Sequence, residues 1–148
     1  MKYPRLLCLV LCSLAWSSAS AQFLDADDRD EAVGMMLSME ISNEYFMEKC
    51  SSDFPDISAE MMRNLDAWEE AESSVLSNYR ARLGDFDVID RNVVASTKAT
   101  LLAAAVSTRL ELVKTPYRYR QYCQIRFQEL ADGAWRKRTP NAFRMLEK

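Results

Sequence analysis

The chain contains no histidine, so any chemistry it performs must rest on sulfur, carboxylate and guanidinium groups. That excludes Ser-His and Cys-His nucleophiles, histidine metal sites and histidine general bases. It also excludes the haem of exported helical cytochromes, which needs an axial histidine or a C-x-x-C-H attachment. Gly34, Gly84 and Gly133 are too scattered for a phosphate-cradling loop. Ser96-Thr97-Lys98 lacks the spacing of a Ser-x-x-Lys nucleophile. Carboxylate catalysis, for example by Glu69 and Glu72, stays as an alternative, yet no pattern separates that pair from the other acidic residues. The expectation is a protein that is not an enzyme and carries no cofactor.

Two clusters stand out. Met35-Met36 with Met39, Met47 and Met61-Met62 gather in the first half of the chain. Thioethers suit Cu(I), and methionines three apart on a helix share a side, so a copper carrier using Met35, Met36, Met39 and Met62 is one alternative. The competing reading is that methionine fills irregular gaps in a core. Further on, Tyr117-Arg118-Tyr119-Arg120-Gln121-Tyr122 interleaves tyrosine and arginine, followed by Arg126 and the Arg136-Lys137-Arg138 run. Tyr117, Arg118, Arg120, Arg126, Arg136, Lys137 and Arg138 form the candidate partner-binding set, since Tyr and Arg are enriched at interaction hot spots. Outside the cytoplasm such a face suits another envelope protein or an anionic envelope component rather than nucleic acid. The plain alternative is that the tyrosines pack inward and the arginines neutralise acidic helices.

The compartment is read from the first residues. Lys2 and Arg5 precede an apolar run from Leu6 to Trp16, and Ala19-Ser20-Ala21 has the small-x-small form a signal peptidase cuts. Residues 1–21 are therefore expected to be a signal peptide and 22–148 a single helical domain with a basic C-terminal tail. The apolar run is too short to cross a hydrocarbon layer of about 30 Å, so no transmembrane segment is expected. Cys8 and Cys12 both follow leucine, unlike a lipoprotein cysteine, and leave with the signal. The protein should then be periplasmic or secreted. Cys50 and Cys123 remain, and an even pair in an exported chain favours one disulfide over free thiols, a metal pair or an intermolecular bridge. Acidic residues dominate up to Thr108 and basic ones from Arg109 onward.

Helical periodicity runs throughout, and no window alternates as a strand does. The acidic stretch Asp25 to Glu31 suits a helix N-terminus. Helix 1 should then reach about Cys50, with Val33, Met36, Leu37, Met39, Ile41, Tyr45 and Phe46 along its inner side. Pro55 breaks it, with Asp53 or Asp56 as the next cap. Helix 2 should run unbroken through Ile57, Met61, Leu65, Trp68, Val75 or Leu76, Tyr79 and Leu83 to Gly84. Helix 3 covers about Val88 to Lys114, with Ile89, Val93, Leu102, Val106, Leu110 and Val113 facing in. Thr115-Pro116 starts helix 4, Gly133 closes it, and Phe143 with Leu146 belong to one more short helix. The fold class expected is all-α: a four-helix up-down bundle stapled by one disulfide.

A cysteine followed by Phe-Pro, then a long helix with a central tryptophan and a distant second cysteine, involves Cys50, Phe54, Pro55, Trp68 and Cys123. This pattern resembles small exported bacterial all-helical two-cysteine proteins. Similar proteins include immunity proteins that neutralise toxins delivered into the periplasm. The resemblance implies a non-enzymatic binding or interaction protein, in its most concrete form an immunity or inhibitor protein, and it transfers no active site.

Overall fold

The computed structural model describes residues 25–85 and 88–148. The expected signal peptide, with Cys8 and Cys12, lies outside the described residues, as does the side chain of Ile89. The described residues form seven helices and no strand: α1 (Arg29–Asp53), α2 (Pro55–Ala71), α3 (Ser73–Gly84), α4 (Val88–Leu112), α5 (Pro116–Ala131), α6 (Ala134–Arg138) and α7 (Pro140–Leu146). None of them is long and apolar enough to cross a membrane.

Local chemistry sets the boundaries. The Asp28 carboxylate accepts from the Glu31 backbone N–H at 2.8 Å and Glu31 reciprocates on Asp27, so two orphan donors at the start of α1 are satisfied. Pro55, Pro116 and Pro140 each open a helix, where a missing N–H costs nothing. Gly133, at φ +66°, ends α5 in a left-handed turn that a side chain would strain. Asp25, far away in sequence, accepts from the backbone N–H groups of Asn141 and Ala142 and so caps α7.

The hub is α1. It packs against α2, α3, α4, α5 and α7, burying Val33, Met36, Leu37, Met39, Phe46 and Cys50. α7 completes the core from the other end, with Phe143 and Leu146 fully buried. Cys50 and Cys123 are joined in a disulfide, Cα to Cα 5.9 Å, which ties the end of α1 to the middle of α5.

Three features differ from expectation. The unbroken second helix is two, α2 and α3, and α6 follows Gly133, so that with the expected short helix α7 the described residues form seven helices rather than a four-helix bundle. The break falls at Glu72, at φ −105° and ψ 16°, because a carboxylate occupies the inward stripe between Trp68 and Leu76. Only 5% exposed, Glu72 receives two N–H groups of Arg136. The second difference is the rotation of α4. Val93, Leu102, Val106, Leu110 and Val113 point outward, and Val94, Leu101, Ala105 and Leu112 face the core. The helix has two apolar stripes, and periodicity alone cannot rank them. Arg109 decides, one turn beyond Ala105: it donates to Asp53 at 2.6 Å and to the Tyr119 hydroxyl at 3.1 Å, turning its own side inward. The third concerns the second cap. Phe54, not Asp53 or Asp56, precedes α2, and the two aspartates bind Arg109 and Arg120 of later helices.

Candidate functional site

α5 carries Arg118, Tyr122, Ile125, Arg126 and Glu129 at three- and four-residue steps, hence on one side of the helix. The turn at Gly133 folds α6 back so that Trp135 and Arg138 face this side, and Leu112 closes it from the end of α4. Together these groups enclose an open cleft of about 530 Å³. A second cleft of about 220 Å³ lies on the α1 side, between Met35, Ser38, Met39 and Ser42, and Arg126 and Trp135 border both.

Arg126 is the centre of the arrangement. Its guanidinium lies 5.2 Å from the centroid of Phe46 and 6.0 Å from that of Tyr122, within cation–π range. It donates to the Tyr122 hydroxyl at 3.1 Å and to Oδ1 of Asn43 at 2.7 Å. Both partners are neutral. Its buried Nε has no hydrogen-bond partner among the described residues, nor has Nδ2 of Asn43.

The other arginines of the candidate set behave differently. Arg120 binds both carboxylate oxygens of Asp56, Arg136 binds Glu72 and Glu147, and Arg138 binds Glu129. The hydrogen bond to Asp56 raises Arg120 above its ordinary value, and the one to Glu72 chiefly raises Arg136. The hydrogen bond from Arg109 likewise lowers the Asp53 carboxyl against the burial that would raise it, while burial chiefly raises the Tyr119 hydroxyl. Lys137 donates to the Asp132 carbonyl. Arg118 meets no carboxylate of the described residues, and Tyr117 is 77% exposed. The set therefore divides: Arg118, Arg126 and Arg138 line the cleft, and Arg120 and Arg136 are engaged in ion pairs between helices.

Of the methionines, Met35 and Met39 line the second cleft, Met36 is in the core, and Met62 is exposed on α2. Glu72, half of the carboxylate pair considered for catalysis, is bound to Arg136, and Glu69 is exposed. Sequence reading did not find Leu112, Ile125, Trp135 and Asn43. The 118–122–125–129 spacing could have revealed Ile125. Trp135 needed the left-handed turn at Gly133, and Asn43 needed the α1–α5 register.

Protein-family models, curated proteins and solved structures were all compared with the chain, and none matches it.

Proposed function

We propose that this is an exported, non-enzymatic binding protein whose ligand surface is the cleft around Arg126. One observation carries the reading: a guanidinium seated on two aromatic rings in a largely apolar cleft, hydrogen-bonded only to neutral acceptors. Export to the periplasm or beyond is supported by the Cys50–Cys123 bridge, because such bonds persist in oxidising compartments. With α2 and α3 acting as one kinked strut, four struts and a covalent clasp keep the cleft rigid. A photo-crosslinker at Ile125 of the mature protein, in envelope extract, should label a component that the Arg126→Gln variant no longer retains. The same group at Met62, which does not line the cleft, should label nothing. Equal labelling from both positions, or none from Ile125, would contradict the assignment.

A second reading, an immunity or inhibitor role against another protein, is favoured by the outward stripe of Leu102, Val106, Leu110 and Val113 on α4. Contiguous exposed apolar surface marks protein interaction sites. Loss of a protein partner in Leu110→Glu, with crosslinking at Ile125 intact, would favour that role.

A further inference from the structure

The geometry points to an anionic single-chain amphiphile as the occupant of the cleft, its carboxylate or phosphate head on Arg126 and Arg118 and its alkyl chain along Leu112, Ile125 and Trp135. This rests on the reading of the cleft as the ligand surface and names the chemistry that surface selects.

Charge is the first argument. The cleft brings together Arg118, Arg126 and Arg138 against a single acid, Glu129, already bound to Arg138. A local positive excess thus sits on a chain whose formal net charge is −3. A guanidinium partly withdrawn from water is stabilised by an anion, and Arg109, Arg120 and Arg136 elsewhere in this molecule each pair with a carboxylate. Arg126 has only neutral hydrogen-bond partners, and its Nη1 and Nη2 each keep an N–H beyond those given to Tyr122 and Asn43, in a planar fork that matches the paired oxygens of a carboxylate or phosphate.

Shape and polarity supply the second argument. The 530 Å³ volume lies within the roughly 300–1,000 Å³ of pockets that hold small organic ligands. Its walls are mostly apolar, so a bare inorganic anion would leave the apolar surface of Leu112 and Ile125 uncovered. A neutral amphiphile would leave the charge uncompensated, and a cationic one would be repelled. Beyond Arg126 the second cleft, between Met35 and Met39, offers a longer chain adaptable thioether walls.

The mature, disulfide-bonded protein is titrated calorimetrically with dodecanoate and dodecyl phosphate below their micelle concentrations. Inorganic phosphate, dodecyl maltoside and dodecyltrimethylammonium serve as comparison arms. The expected result is one-to-one binding of the two anionic amphiphiles. Arg126→Gln and the surface variant Arg118→Gln should each weaken it about tenfold, the loss of a charge-assisted hydrogen bond. Leu110→Gln, on the outward stripe of α4, should leave it unchanged. Equal binding of the cationic or neutral amphiphile, or of inorganic phosphate, would overturn the proposal. So would a loss of affinity in Leu110→Gln matching that in Arg118→Gln. If no amphiphile binds while the Ile125 crosslink persists, the amphiphile assignment falls and the cleft reading stands; if both fail, both fall.

Discussion

Replacing both bridge cysteines, as Cys50→Ala/Cys123→Ala, should remove a large part of the stability of this fold and loosen the seat of Arg126. The bridge spans 73 residues, and the loop-closure entropy it withholds from the unfolded chain amounts to about 4 kcal/mol. Both cysteines are fully buried, so deleting their sulfurs adds about 1 kcal/mol of lost packing. Roughly 5 kcal/mol is a major share of the ~5–15 kcal/mol that holds such a domain together. Register links this loss to the cleft. Stepping back along α1 from Cys50 reaches Phe46 and then Asn43, and stepping forward along α5 from Cys123 reaches Arg126. The Phe46 and Tyr122 rings lie 4.9 Å apart, and Arg126 binds Asn43. Urea unfolding followed by far-ultraviolet circular dichroism gives the free-energy difference. Amide exchange over residues 122–127, faster in the variant, gives the local effect. A stability change below about 1 kcal/mol, well under the entropic value, would refute the reasoning.

Three further outcomes follow from named contacts. Glu72→Gln leaves Arg136 with Glu147 alone as its acid and should cost about 2 kcal/mol, less than for a fully buried pair because Arg136 is 40% exposed and keeps that second partner. The double variant Glu72→Leu/Arg136→Leu, which restores an apolar stripe, should cost less in thermal unfolding than the single one. Burial would raise the Asp25 carboxyl, but the backbone N–H groups of Asn141, Ala142 and Ala26 outweigh it and hold the group below the usual aspartate value. A depressed carboxyl contributes stability above its unfolded value of about 3.9 and loses it as pH falls through the folded one. Acid titration of stability should therefore be shallower in Asp25→Asn below about pH 4 than in the natural chain. For the methionines, Met35→Leu/Met39→Leu should leave any Cu(I) uptake unchanged in a chelator competition. Stoichiometric binding lost in that variant would move the account toward a copper carrier.

Much of the frame is legible in the sequence. Thr115-Pro116, Gly84 and Gly133 mark real helix boundaries, and the two remaining cysteines pair as an exported chain would have them do. What cannot be read is the choice between equivalent patterns. α4 offers two apolar stripes, and a long-range contact of Arg109 selects one. Glu72 sits in an inward stripe whose period continues past it, so the kink shows only when Arg136 arrives from 64 residues away. The Tyr/Arg run likewise gives no sign of which arginines find acids on neighbouring helices. That sorting depends on Asp56, Glu72 and Glu129; it leaves Arg118 and Arg126 without an acid among the described residues, and of the two Arg126 is the one seated on the Phe46 and Tyr122 rings.

The most direct test is nuclear magnetic resonance of the arginine Nε–H groups while dodecyl phosphate is added to the mature protein. The account predicts a specific, saturable shift of the Arg126 Nε–H, with Arg120 and Arg136, already held by carboxylates, unmoved. An unperturbed Arg126, with changes confined to the outward residues of α4, would contradict it.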